Sequence, residues 1–433
     1  MTDRSPARRV YLDFTGCRLN QAEIERMARE FAARGDVLAS DPAGADLVVI
    51  NTCAVTREAT RKSRQLIHQA GRANPQAAIV ATGCYAQIAP DQLRVLPGVR
   101  YLIGNFEKDQ LVPMVSADRP VFELEPVQRD PLPPGTLGRT RAFVKVQDGC
   151  DNRCTFCITT LARGAGRSRP LDEVLSEINL LVSMGFQEVV LTGVHLGSYG
   201  HDLGDRDGLS GLVRAVLMHT GVPRLRLSSL EPWDLSPAFF DLWADSRLCP
   251  HLHLPLQSGC DRTLRRMARR TTMASFIELV EAARARIPDL LLTTDVIAGF
   301  PGETDADFAE SLAHVESVGF ARLHVFPYSA RPGTAAATLP DQVPPAVIRE
   351  RKAAMLALSE RLWESAQRAH IGRTFDVLWE SAHGASPAGF RWVGHTPNYL
   401  RVMTTAAEPL GNTITRAHIT GFDGAALQAR LVS

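Results

Sequence analysis

Lysine is nearly missing from this 433-residue chain: of its 48 cationic side chains only Lys62, Lys108, Lys145 and Lys352 are lysines. A GC-rich coding sequence produces the same skew and is the preferred source of most of it, although arginine also suits phosphate and planar recognition. An excess of either charge is missing too. The 48 cations face 47 acidic residues, which excludes a uniformly basic, nucleic-acid-coating protein but leaves local basic patches open. Long apolar runs are absent. ADLVVI and DLLLTTDVIAGF fall well short of the roughly 20 residues of a membrane span, so no membrane partner is expected. The opening MTDRSPARRVYLDF lacks the apolar stretch and small-residue cleavage site of a secretory signal. A cytoplasmic location follows as an expectation, and there the eight cysteines act as thiols or metal ligands rather than disulfides. What remains, 45% hydrophobic and 22% charged residues, is an ordinary globular balance over a length that suggests about three domains.

Residues 1–116 alternate short apolar runs (RVYLDF, DLVVI, AIVAT) with longer polar stretches of helical length (QAEIERMAREFAARG, TREATRKSRQLIHQAGRAN, PDQLRVL). This pattern predicts a parallel sheet covered by helices. Residues 117–138 hold five prolines and read as an extended linker. Over 139–368 six strand candidates (RAFVKVQ, EVVLT, RLRLSS, HLHLP, LLLTTDVIAG, RLHVFPYS) alternate with helices, which fits a partial (β/α)6 barrel better than a complete eight-fold one. Residues 369–433 change texture to strand-like runs cut by Gly, Pro and Asn, and predict a small β-barrel.

The most specific signal is GCDNRCTFC, which sets Cys150, Cys154 and Cys157 in a C-x3-C-x2-C run after the first barrel strand. Active sites of α/β barrels lie at the carboxyl ends of their strands. Iron–sulfur clusters normally take four thiolates. Three on one loop can hold three irons of a cubane and leave the fourth open to a small molecule. Zinc remains the alternative on spacing alone, and would need a distant fourth ligand. Three further cysteines each follow a predicted strand of the first domain: Cys17 after RVYLDF, Cys53 after DLVVI and Cys84 after AIVAT. In a parallel sheet those ends share one ligand-binding edge, so three thiols would converge there. Buried cysteine acting as a small hydrophobe is the bland alternative for any one of them. Cys249 and Cys260 match no such pattern and read as packing residues.

The C-x3-C-x2-C run at this place resembles the radical S-adenosylmethionine enzymes, partial barrels with one [4Fe–4S] cluster and bound S-adenosylmethionine. TGVHLGSYG, DVIAGFPGE and HVFPYSARPGT continue the likeness. The resemblance implies cofactor contacts at Gly193, Glu231, Gln257, Asp295, Ile297, Gly299 and Tyr328. GCRLNQAE, NTCAVTREATRKSRQ and TGCYAQ narrow it to the methylthiotransferases. Those carry a second [4Fe–4S] cluster on a flavodoxin-like first domain and end in a TRAM domain, a small RNA-binding barrel, here similar over GHTPNYLRV and IGRTFDVLWE. The implied metal ligands are therefore Cys17, Cys53 and Cys84, and Cys150, Cys154 and Cys157. Two positions depart from the family pattern: Thr160 stands where a proline is common and Thr15 where leucine is usual.

Within the family, GCRLNQ, NTCAVT, CITTLARGAGRSR and SSLEPWDL look like the branch acting on threonylcarbamoyladenosine in tRNA. That implies a tRNA partner, an electron donor such as flavodoxin or ferredoxin, and a sulfur source. Arg163, Arg167 and Arg169 in ARGAGRSR are candidate RNA contacts, as are the base-stacking candidates Trp392 and Tyr399. The basic runs ATRKSRQ and DRTLRRMARR are further candidates. The branches acting on isopentenyladenosine or a ribosomal-protein aspartate, and a non-redox zinc RNA-binding protein, are the competing readings.

Overall fold

The computed structural model describes residues 7–116, 134–135, 140–386 and 389–432. The proline-rich linker expected at 117–138 lies outside them apart from 134–135.

The first unit is a five-stranded parallel sheet: β1 (Arg9–Phe14), β2 (Val37–Leu38), β3 (Leu47–Thr52), β4 (Ala78–Gly83) and β5 (Val99–Ile103), in the order β2-β1-β3-β4-β5. This is the flavodoxin-like order, with its topological switch between β1 and β3. β3 is buried along its whole length, as expected for the centre of a sheet covered on both faces. Helices α1 (Arg18–Ala33), α2 (Arg57–Ala73), α3 (Cys84–Ile88), α4 (Pro90–Arg94) and α5 (Leu111–Met114) complete the unit. Met27 and Phe31 of α1 cover one face, Ile67 and Ala70 of α2 the other.

The second unit has β6 (Arg141–Lys145), a short hairpin of β7 (Gln147–Asp148) and β8 (Arg167–Ser168), then β9 (Glu188–Thr192), β10 (Arg224–Leu227), β11 (His251–His253), β12 (Leu291–Ala298) and β13 (Arg322–Pro327). The sheets β6-β9-β10 and β11-β12-β13 are parallel and are joined by the Ser229–His253 bridge. The six strands thus run round a partial barrel in sequence order, as expected. Its helices are α6 (Thr159–Arg163), α7 (Leu171–Ser183), α8 (Gly208–His219), α9 (Asp261–Arg266), α10 (Met273–Arg286), α11 (Asp305–Val318) and α12 (Pro345–Arg368). Capping boxes at Thr272/Ser275 and Thr304/Asp307 start α10 and α11 by satisfying their free N–H groups. Ala22 of α1 packs on Phe143 and Val190, seating the first unit against the barrel.

The last unit is a closed barrel of β14 (Thr374–Ser386), β15 (Gly389–His395), β16 (Arg401–Ala406), β17 (Ile414–Phe422) and β18 (Leu427–Leu431), around Val377, Trp379, Leu400, Val402, Ile419 and Leu427. Among the described residues no helix is long and apolar enough to cross a membrane.

Candidate active site

Cys150, Cys154 and Cys157 lie in the loop beyond β6 and β7. Gly149 adopts φ 75°, and a side chain there would run into the Ala165 carbonyl, so the loop closes on itself only with glycine. The Cys150 N–H donates to the Gly164 carbonyl and the Cys157 N–H to that of Cys154, both at 3.0 Å. The far side is tied to α9: the Thr155 N–H donates to Met267 O at 3.0 Å and its hydroxyl to Arg266 O at 2.9 Å. Thr160, the departure from proline, donates its hydroxyl to Asn152 O at 3.3 Å inside the same loop. Arg269 Nη1 stands 3.8 Å from Cys154 Sγ, and the Thr159 N–H donates to Cys157 Sγ at 3.4 Å. Burial pushes the Cys154 thiol up to about 11 and raises Cys157 as well. Such thiols keep their protons until a metal displaces them.

The surroundings fit a polar ligand beside these thiols. Arg269 donates to Glu231 Oε2 at 2.6 Å and to the Pro255 carbonyl at 2.5 Å, and its guanidinium lies 4.3 Å over the Trp233 ring. Yet Arg269 Nε, Trp233 Nε1 and the Tyr328 hydroxyl are buried with no partner among the described residues. Buried donors are normally satisfied, so three orphans near one set of thiols mark room for an acceptor. Ile297 and Tyr328 pack with Phe156 of the cysteine loop and with Phe300. Gln257, at φ 75°, donates its N–H to Asp295 O (2.8 Å) and accepts from Ile297 N–H (2.9 Å), which fixes β12. The Gly299 N–H donates to Glu303 Oε2 at 2.8 Å. Gly193 rests on Gln147, whose side chain accepts from His195 N–H at 2.9 Å and donates to Gly149 O at 2.8 Å. Asp295 stands apart, its Oδ1 3.3 Å from His253 Nε2. The expected cofactor contacts therefore fall into neighbouring groups rather than one shared contact set.

The second set of thiols follows β1, β3 and β4. Gly16 has φ 97°, and a Cβ there would sit 2.7 Å from Cys53 Sγ, so the loop carrying Cys17 rests directly on Cys53. Gly83, at φ 96°, would overlap Asn51 Oδ1 and the Thr52 carbonyl if it had a side chain. Glycine before a cysteine thus lets neighbouring strand ends close up. The Cys53 N–H lies 3.1 Å from both the Thr15 and Ser63 hydroxyl oxygens, which gives the unusual Thr15 a structural part. Asn105 Nδ2 donates to Cys84 Sγ at 3.5 Å. Burial, then the neighbouring Cys17, push the Cys53 thiol up to about 12. Cys17 presents surface to solvent whereas Cys53 and Cys84 are buried. Desolvation between the units nevertheless raises the Cys17 thiol as well. Among the described residues no three His, Cys, Asp or Glu side chains are gathered as ligands of one metal ion. A cubane asks for something else, one thiolate per iron, and both sets have that donor chemistry.

A buried ionic network joins the two sets. Glu23 of α1 is 1% exposed and accepts from Lys108 Nζ at 2.7 Å and from Arg163 Nη1 at 2.9 Å. Arg163 also reaches Asp148 Oδ1 at 2.9 Å and Asn20 Oδ1 at 2.8 Å. Burial alone would raise the Glu23 carboxyl, but Arg163, Lys108 and Lys145 hold it well below the usual carboxylate range.

Three of the expected RNA contacts are packed within the protein. Arg163 is 2% exposed and committed to carboxylates. Trp392 is 8% exposed in the core of the last barrel. Tyr399 has its ring between His395 and His251, centroids 5.0 and 4.9 Å away, with Arg226 4.6 Å from the ring centre. Its hydroxyl accepts from Arg18 at 2.8 Å and from Arg141 at 3.0 Å. It is a joint between all three units. Arg167 is exposed, and Arg169 is half-buried on Glu177 at 2.7 Å. Residues that the sequence did not single out include Glu23, Lys108, Gln147 and the His195–Asp234 pair at 2.5 Å. Burial lowers His195, but Asp234 and Cys150 outweigh it and push the imidazole up to about 10. No local spacing marks the charged ones, since Glu23 lies 85 positions from Lys108 and 140 from Arg163, and His195 lies 39 from Asp234.

Comparison with known proteins agrees with the geometry. The Radical SAM superfamily matches residues 144–315, and the uncharacterized protein family UPF0004 matches residues 9–104. The threonylcarbamoyladenosine tRNA methylthiotransferase MtaB of Bacillus subtilis is 36% identical over 414 residues, covering 93% of this chain and 92% of the relative. The tRNA-2-methylthio-N(6)-dimethylallyladenosine synthase of Acidothermus cellulolyticus is 38% identical over 417 residues, covering 93% and 84%. Among solved structures, the radical S-adenosylmethionine methyltransferase TsrM from Kitasatospora setae, with cobalamin and a [4Fe–4S] cluster, superposes with a TM-score of 0.55 at 16% identity over 76% of this chain and 77% of that one, a likeness of fold. Matched along nearly its whole length by such relatives, the chain belongs to the radical S-adenosylmethionine tRNA methylthiotransferases.

Proposed function

We propose that this chain replaces the C2 hydrogen of N6-threonylcarbamoyladenosine, next to the anticodon of tRNA, with a methylthio group. The observation that carries the reading is the pairing of two cysteine triplets, each at the carboxyl edge of a parallel sheet and joined through Glu23 and Arg163. Cys150, Cys154 and Cys157 would hold the cluster that binds S-adenosylmethionine, and Cys17, Cys53 and Cys84 a second [4Fe–4S] cluster carrying the sulfur. When bound, these groups supply one-electron chemistry at a C–H bond that no side-chain base can deprotonate, together with a sulfur to place there.

The protein's own part is geometry. Arg269 and Glu231, held to each other at 2.6 Å, offer a cation and an anion for the charged end of S-adenosylmethionine. Ile297, Phe156 and Phe300 form an apolar wall that keeps water from the reacting atoms. The Glu23–Arg163 network sets the distance between the two sites. A low-potential electron donor such as flavodoxin or ferredoxin and a sulfur source complete the partners. The threonylcarbamoyl branch is favoured by GCRLNQ, NTCAVT and SSLEPWDL; the Acidothermus relative makes dimethylallyladenosine the second reading.

Mass spectrometry of tRNA nucleosides from cells with and without the gene tests this. The expected result is loss of the 2-methylthio form of threonylcarbamoyladenosine with accumulation of its precursor. Loss of the methylthio isopentenyl form alone would move the chain to the sister branch.

A further inference from the structure

Beside the second cysteine set, a cleft of about 490 Å³ opens between α2 and the loop after β13, lined by Arg57, Thr60, Arg64, Gln92 and Arg331 among others. Its floor is Arg331, which is 9% exposed. Among the described residues its guanidinium makes one hydrogen bond, from Nη2 to the Thr60 hydroxyl at 3.2 Å, and its Nε is buried without a partner. The guanidinium is near enough to feel a charge on Cys53 or Tyr85. Arg57 and Arg64, both exposed, stand at the rim. Among the described residues none of the three has an ion-pair partner, because the carboxylate on the same stretch of helix, Glu58, is taken by Arg61 at 2.8 Å and Lys62 at 3.9 Å. A second hollow of about 610 Å³ shares Arg64 and Gln92 and carries the basic lining on along α2 to His68 and Arg72.

A buried guanidinium without a counter-ion is costly unless something arrives to neutralise it. Arginine's planar fork matches carboxylate and phosphate oxygens equally well. We propose that Arg331, with Arg57 and Arg64, forms an oxyanion site for the bound tRNA, placed next to Cys53 to hold the target nucleotide. This rests on the function proposed above, because a tRNA substrate offers two such oxyanions at that point. One is the carboxylate of the threonylcarbamoyl group, on the same ring as C2. The other is a backbone phosphodiester, with further phosphates following α2.

The test uses the full-length protein with its clusters, titrated with fluorescent anticodon stem-loops carrying threonylcarbamoyladenosine, isopentenyladenosine or unmodified adenosine at the target position. Arg331→Gln is expected to weaken binding by about tenfold, the size of a lost charge-assisted contact. Arg64→Gln, on an exposed helical turn, should weaken it by several-fold and carries the test if Arg331→Gln fails to fold. If the carboxylate is the ligand, the loss is confined to the threonylcarbamoyl RNA. If a phosphodiester is the ligand, all three RNAs weaken alike and the salt slope falls by about 0.7 per lost contact. Unchanged affinity for every RNA in both variants, relative to an Arg286→Gln control on α10, overturns the site. Product formation by the wild-type enzyme is scored separately. A wild type that binds these RNAs but methylthiolates none overturns the proposed reaction and leaves the binding result readable.

Discussion

Arg163, at the end of the helix that follows Cys157, reaches Glu23 on the helix that follows Cys17, Nη1 to Oε1 2.9 Å, with both side chains almost fully buried. One ion pair thus connects the chain segments carrying the two thiol sets. Its partners are fixed in turn, Glu23 by Lys108 and Asn51, Arg163 by Asp148 and Asn20.

Removing one side of such a pair leaves a buried charge alone. Arg163→Leu is expected to cost about 3–5 kcal/mol of stability. Chemical denaturation measures it. In whatever fraction stays folded, methylthiolated product should fall further than S-adenosylmethionine cleavage, because cleavage needs one site and product needs both in register. Equal losses would count against a spacing role.

The two thiol sets separate by mutation. Cys154→Ala should abolish S-adenosylmethionine cleavage altogether. Cys53→Ala should leave cleavage in place and stop sulfur insertion, with iron content falling by about one cluster's worth. Wild-type product formation by Cys53→Ala would sink the assignment of the second set.

Glu188 of β9 gives an acid-stability prediction. Burial raises its carboxyl, but Arg226 at 2.7 Å, with Arg141 and Arg224 behind it, pulls it down to about 2. With the folded value below the unfolded one, Glu188 contributes stability above about pH 4.3, which is lost as pH falls towards 2. Circular dichroism during acid titration should show Glu188→Gln less stable than wild type at neutral pH, and the difference narrowing below about pH 4. A constant difference across that window would refute the linkage.

Tyr399→Phe removes one hydroxyl that accepts from Arg18 and Arg141. The expected cost is about 1–3 kcal/mol, because two buried guanidinium donors lose an acceptor. Thermal unfolding would read it. A midpoint equal to wild type would mean that water replaces the phenol.

Much of this architecture was legible in the chain. The six barrel strands are runs of β-branched and leucine residues bounded by turn residues, and Cys17, Cys53 and Cys84 could be aligned because each follows such a run. β5 was missed because VRYLI is a half-exposed edge strand without a clear apolar stretch, and β2 because two residues carry no periodicity. The internal packing of two RNA candidates was illegible for one reason. Arg163 sits in a glycine-flanked basic run, which resembles an RNA contact, and only the fold brings Glu23 to it from 140 positions away. Tyr399 likewise reads as an aromatic on a small barrel until Arg18, 381 positions earlier, is placed against it. Ionic partners so distant leave no trace in local pattern.

The joint at Tyr399 also bears on how the units hold together. Arg18, Arg141 and Arg226 all face that ring, at 5.2, 5.1 and 4.6 Å from its centre. Two of their acceptors, the Tyr399 hydroxyl and Glu380, which pairs with Arg141 at 2.7 Å, belong to the last unit. Without them Arg18 and Arg141 would meet across the seam between the first two units short of an acceptor, while Arg226 keeps Glu188 at 2.7 Å. The last barrel therefore acts as a clasp on that seam, holding the first unit to the second through two side chains.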